Sequence, residues 1–350
     1  MIKYSIIIPT CNKNLIERCL KYLSHLKKPI NEYEVLVVHN VTKDNIKSVT
    51  DEYMSRIPNL KYIYEENYGQ MPSRHRGAKE AQGEILCYLD EDSFVDKNWL
   101  IAIEKSFEKS DVVLAGGNNF PLYEVSPPKW LNYFWNKESY GRWMGQLSLI
   151  DFYNKKMKIP AWFAFGCNFI IRKDFFFKMG GTNPDAVPKD KQRFQGDGET
   201  ALSLKLNKSG YVLHFNPKIK IQHLVPKERM TLEYFRKRAF YQGICDSFSK
   251  IRKENGFIYY DFISNDNFEK PKLRSNDKLK KIFLGLIIWK IYKKIKKFFL
   301  KKTNNEEYNL YLKINSDYEK SYKEGFDFHQ SEVKNDPELL KWVLKKTYLE

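Results

Sequence analysis

Short buried-strand runs that alternate with helix-period segments constrain this chain more than any other feature. Tyr4–Ile8 (YSIII), Glu34–Val38 (EVLVV) and Ile85–Leu89 (ILCYL) are near-continuous apolar runs, with a shorter strand pattern at Lys61–Tyr64. Between and after them, Leu15–Leu26, Asp44–Met54, Met71–Gln82 and Trp99–Phe107 carry apolar residues at helical spacing. Strands that are apolar on both faces need cover on both faces, and parallel strands need crossover helices. The order predicts an α/β fold, a mainly parallel sheet flanked by helices. Such sheets bind ligands beyond the carboxyl ends of their strands. Pro9-Thr10-Cys11-Asn12 follows the first strand and Asp90-Glu91-Asp92 the fourth, so both fall at one mouth.

Later segments are less regular. Pro121–Pro160 reads as an irregular, aromatic-rich middle. A buried run at Phe169–Ile171, a loop at Gly180–Gln195 and a helix from Thr200 to Leu206 follow, the helix ended by Gly210. Val212–Phe215 and Ile219–Gln222 read as short strands, with His223 at the end of the second. The last fifty residues read as helical and polar, Pro337 opening a final helix over Glu338–Tyr348. The five cysteines form no CxxC pair and read as free core thiols of a reducing compartment. Tyr4–Ile8 is too short for a signal peptide, and no run of about 18 apolar residues predicts a membrane span.

Three acids directly after a buried strand repel one another, and folding does not require them there. A hard cation relieves that repulsion, and Mg²⁺ takes one or two carboxylates plus substrate phosphates. An acidic turn favoured by the next helix dipole is the plain alternative. In Gly196-Asp197-Gly198-Glu199, glycines around an acid permit unusual backbone angles. Either acid reads as a helix N-cap or as a general base. His223 reads as structural or as a metal ligand. Arg74 and Arg76, near a helix start, read as phosphate contacts or as solvated surface.

The ordered stretches SIIIPTCN (Ser5–Asn12), EVLVVHN (Glu34–Asn40) and SRHRGAKEAQGEILCYLDEDSFVDKNWL (Ser73–Leu100) resemble the family 2 glycosyltransferases. FGCNFIIRKDFFFKMGG (Phe165–Gly181), GDGETALSLKLNKSGY (Gly196–Tyr211) and IQHLVPKERMTLEYFRKRAFYQG (Ile221–Gly243) continue the resemblance. It implies a GT-A catalytic domain over 1–245, with a nucleotide-binding half to about 117 and an acceptor half beyond, then a helical extension over 246–350. It implies an inverting transfer from a nucleotide-diphosphate sugar to a hydroxyl of a glycan or lipid-linked acceptor, in surface polysaccharide or glycoconjugate synthesis. Pro9, Thr10, Asn12, Arg74, Asp90 and Glu91 would then serve the nucleotide sugar. Asp92, with Asp90 and His223, would hold Mg²⁺ or Mn²⁺. Glu199 would be the base, Asp197 the second choice. The family's acidic pair after the second strand is here His39 and Asn40, so Asn40 is expected to meet the base.

The net charge of +17 implies an acidic partner. Ten lysines and no acid fall in Lys278–Lys302, where Leu284, Ile288, Ile291, Ile295 and Phe298 share a helical face. This segment is expected to lie on an anionic membrane surface, making the protein cytoplasmic and peripheral, or to pack on the domain. A basic nucleic-acid-binding protein is a competing reading, opposed by the concentration of lysine in one run and the absence of a recognised motif. A non-catalytic nucleotide-sugar-binding module is another, opposed by the intact Asp90, Asp92 and Glu199.

Overall fold

A computed structural model describes residues 1–57, 59–259 and 306–349. The basic segment 278–302 lies outside the described residues. In chain order the first strands are β1 (Tyr4–Thr10), β2 (Tyr33–Asn40), β3 (Leu60–Glu65), β4 (Ile85–Leu89), β5 (Ser93–Val95), β6 (Leu114–Gly116) and β7 (Asn119–Tyr123). There follow β8 (Asn136–Glu138), β9 (Gly141–Met144), β10 (Leu149–Phe152), β11 (Met157–Ile159), β12 (Asn168–Arg172), β13 (Leu213–Phe215) and β14 (Ile221–Val225). Helices α1 (Lys13–Leu23), α2 (Ile46–Tyr53), α3 (Gln70–Glu80), α4 (Trp99–Phe107), α5 (Lys173–Lys178) and α6 (Thr200–Lys208) alternate with them. Three more, α7 (Leu232–Glu254), α8 (Glu306–Asn335) and α9 (Pro337–Val343), complete the described chain.

The large sheet has the order β11-β13-β6-β12-β4-β1-β2-β3. β1 is parallel to both β2 and β4, and β2 to β3, so the first four strands form the expected parallel core. β12 enters antiparallel between β4 and β6. The chain reverses its direction of travel across the sheet between β1 and β4, which opens a crevice at their carboxyl ends. Alternation explains the continuous apolar runs. Ile6 and Ile8 face one core with Ile16, Leu20 and Trp99, while Ile7 faces the other with Ala78, Phe176 and Leu202. Each fully buried Ile, Leu or Phe among them contributes about 1.5–3 kcal/mol. The α/β fold with a helical C-terminal part is as expected.

The middle of the chain departs from expectation. Within the stretch read as irregular, β7 to β11 are strands of three to five residues. Four of them build most of a second sheet, β5-β14-β7-β10-β9-β8. Strands this short, broken by 3₁₀ turns, carry no readable period. Their aromatics Trp130, Phe134 and Trp135 seal that sheet against Phe235 of α7 and Ile314 of α8. Helix α7 runs through residues 245 and 246, where the sequence reading begins the C-terminal extension. It meets α8 closely. A Cβ on Gly243 would stand 2.0 Å from the Tyr322 oxygen, and one on Gly325 2.0 Å from that of Phe240. All five cysteines are free thiols, but Cys11, in the loop after β1, is exposed rather than core.

Candidate active site

The crevice at the switch between β1 and β4 holds a cavity of about 280 Å³. Pro9, Thr10, Asn40, Asp90, Glu91 and Asp92 line it, together with Arg229. The loops named in the sequence reading therefore meet at one crevice. Several of their side chains are engaged there by other groups of the protein.

Glu91 is a strut. Its Oε2 accepts from the Thr10 hydroxyl and from the main-chain N–H groups of Cys11 (3.0 Å) and Asn12 (3.1 Å). Those bonds pin the loop after β1 to the loop after β4. Burial raises the Glu91 pKa, and the three donors oppose it. Asn12 is not among the lining residues. Its Oδ1 caps α1 by accepting from Asn14 and Leu15. Asn40 is also committed to the backbone. Its amide donates to the Glu65 and Asn67 oxygens, and its Oδ1 accepts from Gly69 at 2.8 Å. It thereby shapes the loop that leads into α3.

Arg74, buried on α3, joins two candidate acids. Its Nη2 lies 3.2 Å from Asp90 Oδ1, and its Nη1 lies 3.3 Å from Glu199 Oε2. It reaches carboxylates rather than solvent. Asp90 also accepts from Gln70 at 3.0 Å. Glu199 is held a second time, by the Gly166 N–H at 2.8 Å. A side chain at residue 166 would collide with the arginine, since a Cβ there would lie 2.1 Å from Nη2. Burial raises the pKa of both Asp90 and Glu199, and Arg74 counteracts it. Arg76, by contrast, pairs with Glu80 on the helix surface.

Glu199 stands at the N-cap position of α6, yet its side chain makes no capping bond. Gly198 before it has φ +57°, a left-handed turn that aims Glu199 back toward Arg74. Asp197 is no cap either. Its carboxylate accepts from Asn183 Nδ2 at 2.8 Å and from the Ser249 hydroxyl at 3.0 Å, tying the loop to α7.

His223 lies within β14 rather than at its end. β14 pairs antiparallel with β5, setting His223 opposite Ser93 and beside Asp92. His223 Nδ1 is 3.0 Å from the Leu147 carbonyl, which only accepts, so Nδ1 carries a hydrogen. Nε2 is then directed at Asp92 Oδ1, 3.3 Å away. That buried oxygen has no hydrogen-bond partner among the described residues. Arg229, in the turn after β14, takes the other oxygen, Oδ2, at 2.8 Å. Burial acts to raise Asp92, but a positively charged His223 ring together with the Arg229 guanidinium outweighs it and brings its pKa down to about 2.

A hard divalent cation fits an unpartnered carboxylate oxygen beside an imidazole nitrogen. Among the described residues no group of three or more His, Cys, Asp or Glu suits a metal, so substrate oxygens would have to complete the shell. Arg229 lines the cavity and pairs with Asp92, and the sequence reading did not name it. An arginine six positions after the candidate metal-site histidine is the signal that could have found it. The larger hollow, about 760 Å³, lies between α1 and the reverse face of β5 and β14. It is lined by Arg18, Lys21, Phe94 and Lys220 among others, and holds none of the predicted site residues.

A largely parallel sheet with an acid-lined crevice at its switch point places this chain among the open α/β proteins that bind ligands beyond the carboxyl ends of their strands. Residues 5–180 match the sequence model of Glycosyl transferase family 2, and the chain belongs to that family. It is 33% identical over 116 residues to Glycosyltransferase AglE of Haloferax volcanii, an alignment spanning 33% of this chain and 38% of that protein. It is 20% identical over 243 residues to the Glucosyl-dolichyl phosphate glucuronosyltransferase of the same organism, covering 69% of this chain and 75% of that one. Among solved structures it is similar to the mannosyltransferase PcManGT from Pyrobaculum calidifontis in complex with GDP-Man and Mn²⁺. That match has a TM-score of 0.49 and 18% identity, covering 69% of this chain and 62% of the other.

Proposed function

We propose that this chain is a metal-dependent, inverting glycosyltransferase that moves a sugar from a nucleotide-diphosphate donor to an acceptor hydroxyl. The observation that carries the reading is the juxtaposition of two sets. Asp92 and His223 present an unpartnered carboxylate oxygen and an imidazole nitrogen 3.3 Å apart. Arg74 links the adjacent Asp90 to a second acid, Glu199, 109 residues further on in sequence from Asp90. Family membership supports the same reading.

In this reading the Thr10 loop and Asp90 receive the nucleotide. Asp92 and His223 would hold Mg²⁺ or Mn²⁺. When bound, the cation stabilises charge on the departing diphosphate. Glu199 takes the proton from the acceptor hydroxyl as that oxygen attacks the anomeric carbon. Arg74 and the Gly166 N–H hold the Glu199 carboxylate in place for that transfer. The raised pKa of Glu199 makes it a stronger base than an ordinary glutamate once ionised.

The relative named for glucosyl-dolichyl phosphate supports a lipid-linked acceptor. The basic run over 278–302 supports contact with an anionic membrane surface, and with it a peripheral, cytoplasmic location. No helix among the described residues is long and apolar enough to cross a membrane. Carbonate- or salt-washed membranes free of the protein would count against that contact.

Thermal shift with UDP, GDP and other nucleoside diphosphates, with and without Mn²⁺, tests the central reading. A metal-dependent rise with one of them is expected. No response to any nucleotide, together with salt-sensitive RNA binding, would sink it.

A further inference from the structure

The hollow behind β5 and β14 has no part in the proposed reaction. Phe94, Gln222 and Phe120 stand opposite one another across β5, β14 and β7, so they share one face of the second sheet. His223, the next residue along β14, takes the other face. The sheet itself therefore separates the hollow from the crevice at Asp92. The opposite wall is α1, where Arg18, Lys21 and Tyr22 fall on one helical face. Phe94 is the floor, 1% exposed. The Arg18 guanidinium lies over its ring at 4.4 Å, and Tyr22 stacks on it at 5.1 Å.

Charge at the hollow is one-sided. Arg18, Lys21, Lys97 and Lys220 line it, and Asp96 is the one acid in its lining. Asp96 pairs with Lys220 at 3.4 Å. Among the described residues, the side-chain nitrogens of Arg18, Lys21 and Lys97 have no hydrogen-bond or ion-pair partner. The ring beneath Arg18 holds its guanidinium and leaves the N–H edge free, an arrangement suited to gripping a phosphate with two parallel bonds. The exposed Gln222 amide offers a donor and an acceptor to hydroxyl groups. At about 760 Å³ the hollow is far larger than a phosphate and falls within the range of small-molecule sites.

We propose that this hollow is a second ligand site, for a phosphorylated sugar presented free or as the headgroup of a lipid. The cations of α1 and β14 take the phosphate. Gln222 takes sugar hydroxyls, and the rings of Tyr22 and Phe120 pack on the sugar's apolar face. None of these residues lines the crevice at Asp92, so the inference stands or falls apart from the proposed donor site.

Calorimetric titration of glucose 1-phosphate into the full chain tests this, with glucose and inorganic phosphate as controls. Glucose 1-phosphate should bind more tightly than either control. Arg18→Gln, at an exposed position, should weaken it by roughly tenfold or more. Asp96→Asn keeps the oxygen that accepts from the Asn98 N–H and frees Lys220. It should tighten binding by roughly two- to fivefold, a gain that damage to the fold does not produce. Vesicles of phosphatidylinositol, compared with phosphatidylcholine, distinguish the sources. A several-fold loss of vesicle binding in Arg18→Gln assigns the site to a lipid headgroup, and equal vesicle binding in both proteins assigns it to a free sugar phosphate. Glucose 1-phosphate that does not bind, or binds Arg18→Gln as it binds wild type, overturns the proposal. So does inorganic phosphate that binds as tightly as glucose 1-phosphate, or Asp96→Asn that binds no tighter than wild type.

Discussion

His75 Nδ1 lies 3.0 Å from the main-chain oxygen of Tyr348, a residue 273 positions further along the chain. The carbonyl only accepts, so Nδ1 carries the hydrogen, and Nε2 accepts from the Thr182 N–H at 3.1 Å. The ring is therefore held neutral, and burial brings its pKa down to about 4. His329 of α8, bonded to Ser247 of α7, is brought down to about 4 by burial as well. Unfolding returns both to about 6.5, so the unfolded chain binds more protons between those values. The stability due to these neutral rings is complete above about pH 6.5 and is lost as pH falls toward 4. The slope is up to about 1.4 kcal/mol per pH unit for each histidine. Denaturant unfolding at about pH 7.5, 6 and 5 measures it. A midpoint that stays constant over that range contradicts the assignment, and His75→Asn should remove roughly half of the slope.

Gly166→Ala reaches the site without touching substrate. The added methyl would meet Arg74 Nη2 at 2.1 Å, and backbone movement to relieve it would loosen the Gly166 bond to Glu199. Overpacking of this kind costs about 1–3 kcal/mol. Displacing the guanidinium also removes the charge that opposes burial at Glu199, so the Glu199 pKa rises further. The variant should be less stable, and the acid limb of its kcat–pH profile should move to higher pH. A profile superimposable on wild type would mean that Arg74 does not set the ionisation of Glu199.

How far the sequence reveals this molecule follows from where each signal originates. β1, β2 and β4 are legible because burial on both faces demands unbroken apolar residues, and Asp92 is legible because it follows one of them. Glu199 is legible through the glycine before it. β8 to β11 are not, since three or four residues carry no period. Helix α7 escapes too, because it packs against the second sheet and α8 at once, and Gly243 occupies the closest approach. Asn12 and Asn40 look like ligand contacts in sequence, but their amides serve backbone groups, and Glu91 braces a loop 80 residues earlier. Those roles are tertiary, and no local pattern encodes them.

Glu91→Ala should separate the brace from the chemistry. It leaves two main-chain N–H groups and the Thr10 hydroxyl without their acceptor. The loss is about 1–3 kcal/mol for each donor that stays buried and unpaired, and less for those that reach water. The loop that lines the cavity then loosens, so nucleoside diphosphate affinity should fall along with melting temperature. Glu91→Gln keeps an accepting oxygen and should recover most of both. Wild-type nucleotide affinity in Glu91→Ala, read by calorimetry, would show that the cavity does not need this brace.

Asp197 and Glu199 are two residues apart and should respond oppositely to loss of charge. Asp197 accepts from Asn183 and Ser249 and lies 8% exposed, bound into the protein on both carboxylate oxygens. Asp197→Asn keeps an acceptor for Asn183 only if its new amide N–H₂ faces Ser249, whose hydroxyl must then turn round and accept, and both bonds lose their charge assistance, so it should cost about 1 kcal/mol of stability. Its turnover per folded molecule should change little. Glu199→Gln keeps the shape at Arg74 and Gly166 but cannot take a proton. Its kcat should fall by roughly 10²–10⁴, with donor affinity nearly unchanged. Steady-state kinetics beside thermal unfolding distinguishes the two patterns. Normal turnover in Glu199→Gln, with a collapse in Asp197→Asn beyond its loss of folded protein, would move the base to Asp197.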